Sequence, residues 1–205
     1  MKELTILGRG PSWKDCDFRT EELWGAATCL RTNGMEDRKY TKVFAFDGDN
    51  VDILREAIVI AKERDIPMVS TLPYATEYYP IRDVMKEFRF GYFKNTMSYM
   101  IALACYQKYE RLWIYGIDQG PGLFYQMGKP YVTFWLGACF ARGIDVLLGK
   151  GSLRWTYESG QNEVPKAFIE SEKWHIRQED GTTYVGKAQD ELSDVIILPK
   201  IGVEK

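Results

Sequence analysis

One histidine, His175, is all the imidazole the 205-residue chain contains. That scarcity rules out a His-rich metal centre, and a lone strand histidine reads as packing more readily than as catalysis. The four cysteines, Cys16, Cys29, Cys105 and Cys139, are scattered without C-x-x-C spacing. They offer neither a zinc site nor a disulfide framework, and read as reduced, mostly buried thiols of a cytoplasmic protein. Excess charge of one sign is missing too. Lys and Arg number 27 against 29 Asp and Glu, for a net charge of −2. Nucleic-acid binding therefore has no electrostatic footprint beyond any local patch hidden in the balanced total. No apolar run reaches membrane-spanning length, so no membrane partner is expected. Met-Lys-Glu running straight into a strand is not the pattern of a signal peptide.

What is present is ordinary globular material, 45% apolar and 27% charged, enough for one domain with a sizeable core and an appendage. Aromatic residues reach 14%, a content that serves core packing first and carbohydrate or base stacking second. Short apolar runs at 4–7, 23–29, 42–46, 67–70, 111–115 and 145–148 read as strands covered on both faces. Between them, helical periodicity marks 50–64, 95–108 and 131–142. Asn95 is a ready N-cap for the second of these, and Gly143 a C-cap for the third. This alternation predicts an α/β fold, Rossmann-like and doubly wound, with a mostly parallel sheet. Residues 1–150 form the expected nucleotide-binding domain. Residues 151–205 form a polar extension serving as lid, edge extension or oligomerisation arm, with a β-hairpin at 174–177 and 182–185 around Glu179-Asp180-Gly181. The apolar 131–142 helix is a surface on which a second copy would pair if it is exposed.

The first strand runs into Gly8-Arg9-Gly10-Pro11-Ser12. Glycines remove the Cβ atoms that would keep a ligand off the backbone. Pro11 suits the first turn of a helix, and Ser12 adds a hydroxyl where free amides favour an anion. The third glycine of a dinucleotide fingerprint is absent, as is the Gly-Lys-Ser/Thr of a P-loop. A tight strand–helix turn without ligand is the competing reading.

Ligands of open α/β sheets bind beyond the carboxyl ends of the strands, where strand order reverses. Several polar residues fall at such ends: Arg31 and Asn33, Asp47 and Asp49, Asp118 after Tyr115-Gly116-Ile117, and Asn95, Thr96 and Ser98 at a helix start. Asp47-Gly48-Asp49 is a candidate holder of Mg²⁺ or Mn²⁺ against a diphosphate. Equally, Asp49 or Asn50 caps the following helix and Asp47 sits in a polar turn. Asp118 is a candidate base or an acceptor of hydrogen bonds from a sugar hydroxyl; loop capping is its alternative.

Taken in order, Gly8-Arg9-Gly10-Pro11-Ser12, Arg31-Thr32-Asn33, Asn95-Thr96-Met97-Ser98 and the 112–118 segment ending in Tyr115-Gly116-Ile117-Asp118 resemble the bacterial sialyltransferase family that includes the Campylobacter lipooligosaccharide enzymes. They look equally like its relatives, the archaeal 6-hydroxymethyl-dihydropterin pyrophosphokinases and many bacteriophage proteins. Phe134-Trp135-Leu136-Gly137 and Arg142-Gly143-Ile144 look like the phage subgroup, which would place the protein in a host cytoplasm. The resemblance spans roughly residues 4 to 153. It implies a nucleotide or nucleotide-sugar donor held by Gly8, Arg9, Gly10, Pro11, Ser12, Asn33, Asn95, Thr96, Ser98 and Gly116, with Asp118 near the donor. Arg9 stands where the family has Asn, and Thr32 where it has Cys. The family's catalytic histidine has no counterpart after Asp118, where Gln119-Gly120-Pro121-Gly122-Leu123-Phe124-Tyr125 follows. Tyr125 and Tyr131 become the candidates for touching a phosphate or assisting a leaving group, and Asp118 and Asp47 the candidate catalytic carboxylates. The expected activity is a glycosyltransferase-like transfer from a nucleotide donor. The alternatives are Mg²⁺-dependent pyrophosphate transfer from ATP, a nucleotide binder that has lost catalysis, and a scaffold whose partner surface is the aromatic-rich 120–135 loop and the C-terminal arm. The acceptor is not legible.

Overall fold

The computed structural model describes residues 1–46, 51–118, 123–149, 173–177 and 183–187. Contacts divide the chain into two units, Met1–Trp155 and Thr156–Lys205. The first unit carries strands β1 (Glu3–Leu7), β2 (Leu23–Ala26), β3 (Lys42–Phe44), β4 (Met68–Ser70), β5 (Glu77–Tyr78), β6 (Arg111–Tyr115) and β7 (Asp145–Leu148). Its helices are α1 (Val51–Glu63), α2 (Ile81–Phe88), α3 (Thr96–Tyr106) and α4 (Leu123–Ala141), with 3₁₀ helices at Pro11–Asp15 and Ala27–Arg31. In the second unit, β8 (Lys173–Arg177) pairs antiparallel with β9 (Thr183–Lys187), Lys173 opposite Lys187.

The seven strands form one parallel sheet in the order β5-β4-β3-β2-β1-β6-β7. From β1 the chain steps outward through β2, β3 and β4 by way of the two 3₁₀ helices and α1. These pack with Leu7, Cys29, Leu30, Val43 and Ala57 on one face. It then returns across the opposite face through α2 and α3 to β6, and α4 leads on to β7. That face buries Leu4, Ile6, Trp24, Ile101, Leu112, Ile114, Val132 and Trp135. Reversing direction while keeping right-handed crossovers requires this change of face. The sheet is therefore doubly wound, and its switch point lies between β1 and β6.

Burial on both faces accounts for strands written as unbroken apolar runs. Leu4, Ile6, Leu7, Leu112 and Ile114 are all fully covered. Helix α3 is apolar all round because it lies between the sheet, α2 and α4, and Met97 through Cys105 are buried apart from half-buried Tyr99. Helix α4 is more one-sided. Val132, Trp135 and Cys139 are buried, whereas Gly137, Phe140 and Ala141 are exposed.

Boundaries shift where sequence signals are weak. The 23–29 run is strand only to Ala26, because β3 pairs with Trp24, Gly25 and Ala26 alone and the chain then tightens into the 3₁₀ helix. The 131–142 helix begins two turns earlier, at Leu123, and runs through Pro130. Its missing N–H leaves one intrahelical bond unmade, a loss helix packing tolerates. Strand β5 and helix α2 had no sequence forecast. Among the described residues no helix is long and apolar enough to cross a membrane.

Candidate functional site

Register builds the site. Leu7 lies opposite Tyr115 in the β1–β6 ladder, so the next residues, Gly8 and Gly116, face each other as both strands end. The ladder continues beyond the strands: the Gly8 N–H donates to the Tyr115 carbonyl and the Gly10 N–H to the Gly116 carbonyl, both at 2.8 Å. Gly116 has φ +72°, the left-handed region that favours glycine. A Cβ there would strike the Gly8 carbonyl oxygen, and one on Gly8 the Gly116 carbonyl oxygen. A Cβ on Gly10 would overlap the Asp118 carboxylate. These glycines let two loops close on each other.

Ser12 and Asp118 fasten the closure. Asp118 Oδ2 accepts from the Ser12 N–H and from the Ser12 hydroxyl, each at 3.0 Å. The Gly116 N–H donates to Ser12 Oγ at 2.8 Å. Both side chains are buried, at 5% and 6% exposure. The anion at the start of the first 3₁₀ helix is thus supplied by the protein. With Trp13 N–H bonded to the Gly10 carbonyl, the amides of Gly8, Gly10, Ser12 and Trp13 are all committed. Four amides at the start of this turn therefore bond within the protein. Pro11 sits at the first helical positions, exposed, as its missing N–H allows.

The neighbouring loops converge on this junction. Met97, in the first turn of α3, packs so close to Gly8 that a Cβ there would meet its sulfur. Gly34, with φ +84°, lies against the Trp13 ring, which brings the 32–34 loop beside the first turn. Arg9 and Asn33 are exposed in this region. Burial pushes the Cys29 thiol up to about 12, and the nearby Arg9 guanidinium partly opposes that shift. Arg31 is held away by an ion pair with Glu56 at 2.6 Å.

Asn95 caps α3, accepting from the Ser98 N–H at 3.0 Å, while Ser98 Oγ donates to the Asn95 carbonyl at 2.6 Å and accepts from the Lys94 N–H at 3.3 Å. Asn95 and Ser98 therefore shape the helix entry, with Thr96 buried between them. Beyond it stands an aromatic wall. Phe46 stacks on Tyr99 at 3.8 Å, Tyr99 on Phe93 at 4.5 Å, and Phe93 on Trp135 at 5.2 Å. Tyr131 stacks on Tyr92 at 4.2 Å. The wall draws on four separate chain segments, so no local motif announces it.

Asp47, Asp49 and Asn50 lie outside the described residues, as do the side chain of Tyr125 and all but the hairpin strands of the extension. Among the described residues no three His, Cys, Asp or Glu side chains gather as metal ligands. Sequence reasoning passed over Lys129. It is the single charged residue in α4, and that isolation in an otherwise uncharged helix was the available signal.

No family model matches the chain, and no curated protein matches it by sequence. Two solved structures share its fold. One is the sialyltransferase CstII from Campylobacter jejuni in complex with the substrate analogue cytidine-5'-monophosphate. It is 14% identical with a TM-score of 0.55, over 77% of this chain and 84% of that one. The other is an α-2,3-sialyltransferase from Campylobacter jejuni in apo form, 16% identical with a TM-score of 0.57, over 77% of this chain and 79% of that one. At such identity the likeness is one of architecture, and the α/β doubly wound sheet of this chain is the fold those enzymes use.

Proposed function

We propose that the protein is a nucleotide-dependent transferase of glycosyltransferase type, with an activated nucleotide donor seated over the locked 8–12 and 116–118 turns. The carrying observation is that lock, placed at the switch point between β1 and β6, where open α/β sheets receive their ligands. A neighbour of the same fold solved with cytidine-5'-monophosphate supports a nucleotide as the ligand class.

In this reading Gly8, Gly10 and Gly116 permit the approach of the loops, and Ser12 and Asp118 hold it. Asp118 is a positioning residue, its Oδ2 being engaged by Ser12 twice. Arg9 and Asn33 offer polar groups at the rim, and Thr96 and Tyr131 flank it from α3 and α4. Rate enhancement comes from orienting donor and acceptor and from stabilising the departing phosphate. Asp47, with Asp49, is the carboxylate left for base or cation work, and the reading assigns no step to a metal.

The test is a thermal-shift panel of CMP, CDP, UDP, GDP, ADP and ATP with and without Mg²⁺, followed by release of free nucleotide from the matching sugar donor. A ligand at a hundred times its dissociation constant adds about 2.7 kcal/mol. A shift with donor turnover supports the transferase. A shift confined to ATP with Mg²⁺ redirects it to pyrophosphate transfer, binding without turnover makes it a binder, and a flat panel overturns it.

A further inference from the structure

Helix α4 is uncharged from Leu123 to Ala141 apart from Lys129. The Lys129 ammonium is nonetheless inaccessible to solvent and has no hydrogen-bond partner among the described residues. Burial lowers its pKa from the ordinary lysine value, as expected of a cation held away from water with no counter-charge among the described residues. An uncompensated buried charge is strongly unfavourable, and such groups normally meet an anion.

Its place in the fold says where that anion belongs. Gly128, Val132, Trp135 and Cys139 make up the buried stripe of α4, and Lys129 adjoins its upper end. Trp135 stacks on Phe93 at the entry to α3, and Cys139 reaches the Ile101 carbonyl, so the two helices run side by side in one direction. The α3 entry is level with Gly8, through Met97. Lys129 precedes Trp135 by nearly two turns, about 9 Å along the axis. It therefore stands past the α3 entry, beyond the carboxyl ends of the strands, on the side of α4 that lower down covers the core.

We propose that Lys129 is a buried anion-binding residue of this crevice, and that it pairs with a phosphate group of the ligand. The proposal rests on the nucleotide reading for the ligand's identity, but not for the anion. Because the amides of Gly8, Gly10, Ser12 and Trp13 are committed and the Asp118 carboxylate lies beside them, phosphate binding here draws on side-chain cations, Arg9 at the rim and Lys129 from α4. A lysine ammonium supplies a point charge.

The test compares wild type, Lys129→Met and Lys129→Arg at constant ionic strength, with inorganic pyrophosphate, CMP and cytidine as probes and thermal stability and calorimetric affinity as readouts. Pyrophosphate is expected to stabilise wild type and Lys129→Arg. Lys129→Met should bind pyrophosphate or CMP on the order of tenfold or more weakly, with cytidine unchanged. Equal pyrophosphate responses in wild type and Lys129→Met, or none in either, overturn the proposal. If nucleotides bind and Lys129→Met makes no difference, the lysine assignment fails and the nucleotide reading stands. If pyrophosphate binds through Lys129 while no nucleotide binds, the anion site stands and the nucleotide reading fails.

Discussion

Asp118 and Ser12, 106 positions apart in sequence, are joined by two hydrogen bonds to a single carboxylate oxygen, each 3.0 Å long and buried. Removing that carboxylate deletes both of these buried bonds between the two loops. Asp118→Ala is expected to lower stability by about 2–3 kcal/mol, the scale for buried polar groups losing their acceptor. Asp118→Asn keeps one acceptor oxygen and should lose less. Urea unfolding of the two variants checks this. A variant with unchanged midpoint but abolished turnover would instead make Asp118 a reacting group.

Glycine substitutions should divide sharply by position. Gly10→Ala drives a methyl into the Asp118 carboxylate, and Gly116→Ala adds a clash with the Gly8 carbonyl to a strained positive φ. Both are expected to cost several kcal/mol, as overpacking and backbone strain combine. Gly137 sits exposed in α4 with nothing within 4 Å of where its Cβ would stand. Gly137→Ala should raise stability by about 0.8–1 kcal/mol on helix propensity alone. Melting temperatures of the three variants, measured side by side, decide it.

The layered fold was legible because its signals are local. The runs at 111–115 and 145–148 are strands over those same residues, and the Asn95 cap signal marks the start of α3. What escaped depends on partners distant in sequence. Strand β5 is two residues long and is defined by pairing with β4. The first turns of α4 hold Gly128 and Pro130, both poor helix formers, and packing overrides that local preference. At the ends of β1 and β6, the converging residues were visible but their contacts with one another were not. Gly8 and Gly10 read as an open approach for a ligand, and only the register of β1 with β6 reveals that a second loop fills the space.

Alkaline pH should destabilise the fold. Burial raises Cys16 to about 11 and Cys29 to about 12 from a reference of 9.0, and it raises Tyr40 and Tyr79 as well. Above about pH 9 the unfolded thiols release protons that the folded ones retain, so the unfolded state binds fewer protons and stability falls as pH rises. The contribution is full below pH 9 and lost progressively through about 12. Denaturant midpoints at pH 7.5 and pH 10.5 give the comparison, and an unchanged midpoint would contradict it. The same burial predicts slow alkylation of Cys16 and Cys29 by iodoacetamide at pH 8 until the protein is unfolded.

Arg9 offers a separation of binding from folding that the glycines do not. Its side chain is exposed, and among the described residues no hydrogen bond or ion pair depends on it. Arg9→Ala should leave the melting temperature within about 0.5 kcal/mol of wild type in stability terms. An exposed guanidinium at the rim is worth about 1 kcal/mol to a bound phosphate, and salt screens it. The expected result is a loss of CMP affinity of roughly fivefold at low salt that shrinks as salt is raised. The Lys129→Met loss should resist salt, because that ammonium is inaccessible to solvent. Calorimetric titrations of both variants at low and high sodium chloride therefore distinguish a rim charge from a buried one. Identical salt dependence for the two would mean that both lysine and arginine act from the surface.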